Sequence, residues 1–146
     1  MSAVDGTASA GLSPAAASET LTFTTPFAGG TTRQIDLGRK GLGAGDLFLS
    51  TGIPMRDLTT GARIGTLEGT ETILSAAYDG TVSQPVTMRL RGGTVTVTGI
   101  VRHTDSPNRL AVSGGTGRYA ETRGQLVLVR EDDKRKLSVN RLELMP

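Results

Sequence analysis

From Thr20 to the C-terminus, short runs of alternating apolar and polar residues follow one another between Gly, Asp, Asn and Pro. No stretch holds the 3.6-residue period of an amphipathic helix. Over residues 84–91, Val86, Met88 and Leu90 take one face and Thr87, Arg89 and Arg91 the other. Over 94–103, Val95, Val97, Gly99, Val101 and His103 share a face opposite Thr94, Thr96, Thr98 and Arg102. Further runs cover 21–24, 32–37, 46–53, 63–78, 109–113, 118–130 and 136–144. The connections carry turn chemistry: Asp79-Gly80, Arg91-Gly92-Gly93, Asp105-Ser106-Pro107-Asn108 and the charged stretch from Glu131 to Lys134. Parallel βαβ units need crossover helices that this pattern does not offer. The expectation is an all-β chain of eight or nine antiparallel strands, closed into a barrel because closure removes both sheet edges.

The length of 146 residues and an apolar share of 36% suit one modest core. Residues 1–18 are small and polar and read as a disordered tail, leaving 19–146 as a single barrel domain. That tail lacks a basic start, and Asp5 and Pro14 interrupt any apolar run, so a cytoplasmic protein is expected. No apolar stretch is long enough to span a membrane as a helix. There is no Cys and one His, which excludes a Cys nucleophile, a disulfide framework and a Cys/His zinc site. Two Tyr, three Phe and no Trp make a poor base-stacking platform, and a net charge of +2 makes no polyanion binder. Neither nucleic acid, membrane, metal nor cofactor is therefore expected as a partner. The glycine-rich segments are not phosphate loops. Residues 41–45 precede a strand rather than a helix, and no Lys-Ser/Thr follows residues 113–117.

Twenty glycines are an excess. Gly65, Gly69 and Gly99 share parity with apolar residues, so they either leave volume for a ligand or merely permit strand coiling.

Four segments together resemble the allene oxide cyclase and dirigent-protein superfamily of eight-stranded barrels. They are Gly45-Asp46-Leu47, Arg63-Ile64-Gly65-Thr66 with Gly69, the run from Gly93 to Gly99, and the stretch from Leu110 to Tyr119 followed by Gly124-Gln125-Leu126. The resemblance implies a small-molecule pocket inside the barrel. It also shows departures from the plant cyclases. Their water-holding asparagine falls at or beside Ile53, their pocket tyrosine becomes Val101, and their pocket cysteine becomes Glu71. Pro26 is available as the family's proline but is not aligned with it. What is implied is a bacterial relative with a re-lined pocket, similar to the spirotetronate-cyclase branch, which closes polyketide rings without cofactors.

Within that frame Glu71 and His103 are the candidate catalytic residues. Glu71 shares parity with Leu67, Gly69 and Ile73. A carboxylate enclosed by apolar walls serves as a proton donor or base near neutrality. The alternatives are a bulge at Gly69 that turns it outward, or neutralisation by Arg63 or Arg89; Glu68 is the reserve if the register slips by one. His103 ends the apolar face of its strand and belongs at a barrel mouth, as an acid, a base or a donor to a carbonyl. Leu67, Val86, Met88, Leu90, Val95, Val97 and Val101 are the expected pocket wall, with Tyr78 and Tyr119 as phenol donors or gates. Met55 is a further flexible apolar surface or plain core. Residues 41–45 and 104–108 are candidate lids. The expected function is cyclase or isomerase action on an apolar polyketide-like or fatty-acid-derived intermediate, with a non-catalytic carrier of a hydrophobic ligand as the alternative. Apolar residues on more than one face point to a homodimer or homotrimer.

Overall fold

The computed structural model describes residues 18–27, 29–75 and 80–146. They form nine strands: β1 (Glu19–Pro26), β2 (Thr31–Ile35), β3 (Leu47–Asp57), β4 (Arg63–Ile73), β5 (Thr81–Leu90), β6 (Gly93–Arg102), β7 (Asn108–Gly115), β8 (Arg123–Asp132) and β9 (Leu137–Met145). The only helical turn among the described residues is a 3₁₀ turn, Gly117–Tyr119. Strands β3 to β9 form an antiparallel meander, β1 pairs with β9, and β1 also pairs with β3. That last pairing closes an eight-stranded barrel. The ninth strand, β2, continues along β3 beyond the seam, from Thr31↔Thr51 to Ile35↔Leu47. No helix of the described residues is long and apolar enough to cross a membrane. The proposed tail lies almost wholly outside the described residues, as does Tyr78.

Several element ends differ from the pattern reading: the run read over 118–130 becomes a strand only from Arg123, because Gly117–Tyr119 form the 3₁₀ turn, and the run read from residue 84 already begins at Thr81. The run ending at Ile53 continues through Pro54 to Asp57. A proline is tolerated there because β3 has no partner on its β1/β2 side between Thr51 and Arg56, so no ladder bond is lost on that edge. The long run beginning at Arg63 ends at Ile73 rather than continuing to Tyr78. Gly45 N–H donates to the Ile73 carbonyl (2.8 Å) and Ile73 N–H to the Asp46 carbonyl (2.9 Å), tying the end of β4 to the approach to β3.

Alternation translates into an inward row on each strand. Phe23, Met55, Met88, Val95, Val97, Leu110 and Leu142 are fully buried and pack as one cluster. Asp46 is buried for a different reason. Its carboxylate accepts from the backbone N–H groups of Leu37 (2.7 Å) and Gly43 (2.9 Å). The Gly45-Asp46-Leu47 signature is thus a loop anchor: one side chain satisfies two backbone donors that the turn leaves without partners.

The segment 113–119 does comparable work at the barrel base. Thr116 Oγ1 accepts from Thr94 N–H (3.1 Å) and shares a hydrogen bond with Thr94 Oγ1 (2.7 Å). Arg118 N–H donates to the Gly92 carbonyl (3.0 Å). Gly117 has φ +63°, and a Cβ there would lie 2.1 Å from the Gly92 carbonyl oxygen, so no other residue fits this crossing of two turns. The β5–β6 hairpin turn and the β7–β8 connection are thereby laced together, with Tyr119 5% exposed between them and the core.

Candidate functional site

The two ends of the barrel are filled differently. Below the midplane, Met55, Met88, Val95 and Val97 are fully buried and occupy the interior. Above it, the interior opens into a cavity of about 490 Å³. Phe23, Ile53, Leu67, Val86, Val101, Leu110, Leu126 and Leu128 supply its apolar wall, and Thr25, Gln84, Asn108, Arg130, Ser138 and Asn140 are among its polar groups. The volume falls within the range of small-molecule sites.

The strand ends explain the polar rim. β6 finishes at Arg102, and His103 N–H donates to the Gly80 carbonyl (2.8 Å), which holds the imidazole at the cavity edge. The loop after β6 is pinned by Asn108, whose amide oxygen accepts from Arg102 N–H (3.0 Å) and whose amide nitrogen donates to the carbonyls of Arg102 (3.0 Å) and Asp105 (3.1 Å). This brings Asp105 and Ser106 to the mouth. The β8–β9 hairpin adds Arg130 and Glu131.

Glu71 and His103, 32 residues apart, meet on this wall: His103 Nε2 and Glu71 Oε2 are 3.2 Å apart. Glu131 Oε2 lies 4.0 Å from His103 Nδ1, so the ring sits between two carboxylates. The hydrogen bond that the protonated ring donates to Glu71 raises the imidazole pKa above 6.5, burial opposes the rise, and the charges of Glu71 and Glu131 reinforce it. Neither proposed neutraliser engages Glu71 in an ion pair among the described residues. Arg89 Nε instead pairs with Glu68 Oε1 at 2.7 Å, on the opposite face of β4.

This arrangement fixes a pH dependence. The folded imidazole binds its proton more tightly than the unfolded one, whose pKa is about 6.5. The stabilisation is therefore fully present below that value and disappears as pH rises through the folded pKa. Asp57, Asp132 and Glu143 are shifted the other way, below the usual carboxylate range by hydrogen bonds, and their contributions are lost only in acid. Urea midpoints measured from pH 6 to pH 9 are expected to fall, and Glu71→Gln is expected to flatten most of that slope. An unchanged slope in Glu71→Gln would show that the pairing contributes nothing in solution.

Of the expected wall, Leu67, Val86 and Val101 line the cavity. Met88, Val95 and Val97 face inward but lie in the packed half beneath it. Leu90 and Tyr119 sit at the far end, around a separate hollow of about 410 Å³ that also takes Leu21, Ile64, Arg91 and Arg118. The two hollows share no lining residue. Tyr119 is not a gate to the upper cavity: its hydroxyl accepts from Arg118 Nη1 at 2.7 Å. Tyr78 lies outside the described residues. Among the proposed space-making glycines only Gly69 lines the cavity. A Cβ at Gly69 would stand 2.6 Å from the Pro85 carbonyl oxygen; the space beside Gly99 is taken by Leu110, and that beside Gly65 by Leu90 and the Arg89 backbone. Of the two loops proposed as lids, 104–108 reaches the mouth and 41–45 does not.

Pattern reading passed over Gln84 and Asn140. Asn140 is 3% exposed. Its amide nitrogen donates to Thr25 Oγ1 at 3.3 Å and more weakly to the Ser138 carbonyl at 3.5 Å. Both residues share the inward parity of their strands, with Val86 and Leu142 respectively, so a polar residue in an apolar row was the available signal.

No protein-family model and no curated sequence matches the chain. Solved structures do. A pyocyanin demethylase superposes with a TM-score of 0.69 over 88% of this chain and 100% of that one, at 21% identity. A pterocarpan synthase dirigent protein gives 0.68 over 88% and 93%, at 16% identity. A Diels–Alderase from Streptomyces koyangensis gives 0.64 over 86% and 66%, at 22% identity. These likenesses show the fold: a closed β-barrel of the kind seen in dirigent proteins. The chain shares that fold with cycloaddition cyclases as well as with dirigent proteins.

Proposed function

We propose that the protein is a cofactor-independent cyclase or isomerase acting on an apolar, polyketide-like or fatty-acid-derived intermediate inside the upper cavity. The observation that carries this reading is a hollow of about 490 Å³, apolar in its walls, with the Glu71–His103 pair on one side of its mouth. An intramolecular [4 + 2] closure turns two π bonds into two σ bonds; no atom leaves and the product is an isomer. Such a reaction needs a folded conformer more than a nucleophile. Leu67, Val86, Val101, Leu110 and Leu126 would hold a flexible chain in that conformer, supplying orientation and removing chain entropy before the reaction begins. A protonated His103, kept charged by Glu71, would polarise a carbonyl conjugated to the reacting alkene. For a rearrangement, Glu71 would accept a proton from one substrate carbon and return it to another, again leaving the composition unchanged. The likeness to cycloaddition cyclases supports the class of reaction.

A barrel that orients a hydrophobic ligand without transforming it draws support from the same cavity and from the dirigent likeness. One experiment separates the two. Purified protein is incubated with a linear polyene carrying a diene and a carbonyl-activated alkene, and isomers of equal mass are resolved by chromatography. Cyclisation faster than in buffer, with one stereoisomer dominating, is the expected result. Saturable binding with the buffer rate leaves only the carrier, and no binding removes both readings.

A further inference from the structure

Gln84 stands out among the polar groups of the cavity because its amide oxygen has no hydrogen-bond partner among the described residues. It lies on the inward row of β5, paired with Gly99 on β6. In the same row Val82 is fully buried and Val86 is 5% exposed. Its Oε1 is buried without a hydrogen-bond partner among the described residues. The other amide of this wall, Asn140, is tied to Thr25, and the Asn108 amide is spent on backbone groups. A buried amide oxygen left without a donor is destabilising, so such groups are rare in native proteins. Gln84 itself is half-buried and lines the cavity, so its amide group borders the space a guest would fill.

We propose that Gln84 is a specificity-determining residue that hydrogen-bonds an oxygen-bearing group of the ligand, a ketone or enone carbonyl, within the cavity. The inference rests on the reading of the cavity as a small-molecule site and narrows it: the guest is an apolar framework with one embedded oxygen function, not a plain hydrocarbon. A half-turn of the last side-chain torsion exchanges the amide oxygen and nitrogen. The same residue therefore offers N–H to a carbonyl. Glu71, which lines the same cavity from β4, and Val101, which lines it from β6, place this contact between the proton-handling pair and the apolar wall.

The test uses two rigid probes of nearly equal shape, fluorene and 9-fluorenone, which differ by one carbonyl. Their dissociation constants are measured by fluorescence against the wild-type protein, Gln84→Met and Gln84→Leu. Wild type is expected to favour 9-fluorenone by about threefold to tenfold, the range of one net neutral hydrogen bond. Both variants are expected to bind the two probes within twofold of each other, with fluorene affinity retained. Their melting temperature is expected to equal or exceed that of wild type, because a buried amide oxygen without a partner has been removed. A carbonyl preference that survives in both variants, or that is absent from wild type, overturns the role of Gln84 while leaving the cavity intact. Failure of wild type to bind either probe overturns the small-molecule reading and this inference with it.

Discussion

Glu71→Gln is expected to slow turnover by about 10²-fold or more, the usual contribution of one general acid or base, while the barrel stays folded. The neutral amide preserves the shape of the carboxylate and can still approach His103 Nε2, which lies 3.2 Å from Oε2 in the native protein. What it loses is the negative charge that raises the imidazole pKa, and the ability to take up a proton itself. His103→Gln is expected to act on the same step, so the double variant should be little worse than either single one. The readout is the rate of isomer formation, with the melting temperature measured at pH 9, the end of the pH 6–9 range where loss of the pair affects stability least. Equal rates in wild type and both variants would leave templating by the walls as the whole of catalysis.

Phe23→Ala is expected to give the largest loss of stability, about 3–5 kcal/mol. That is a substantial part of the roughly 5–15 kcal/mol that holds a domain of this kind together. Phe23 is fully buried, and it stands at the weakest seam of the barrel. β1 pairs with β9 along its whole length, from Glu19↔Leu144 to Pro26↔Leu137, but meets β3 only at Phe23↔Asp57 and Thr24↔Arg56. Removing the ring empties the wall behind the two residue pairs that close the sheet. Equilibrium denaturation checks the size of the loss. A change below about 1 kcal/mol would mean that neighbouring side chains collapse into the space. Because Phe23 also lines the cavity, the variant is expected to bind shape-matched guests less tightly even where it remains folded.

The strand pattern was legible because alternation is a local property. Leu90↔Gly93 closes a tight hairpin at Arg91-Gly92, and the inward valines of β6 fall where their parity places them. Height along the barrel was not legible. Parity gives the face of a strand, but whether an inward residue reaches the cavity or the packed half depends on the stagger of every neighbouring pair. Val86 and Met88 share a strand and a face, yet the first lines the hollow and the second seals the floor beneath it. The meeting of Glu71 with His103 required the same long-range information, because β5 lies between their strands. Gln84 and Asn140 were visible as polar breaks in apolar rows, but only the placement of those rows gives them a cavity to face.

The knot of turns at Gly92, Thr116 and Gly117 has a kinetic corollary. With that end laced shut among the described residues, a guest of the upper cavity would enter and leave by the same mouth. On the proposed cyclase reading, precursor and product would share a single vestibule rather than pass through in line, and release of the compacted product past His103 and the loop that Asn108 holds at the rim would be a step able to limit turnover.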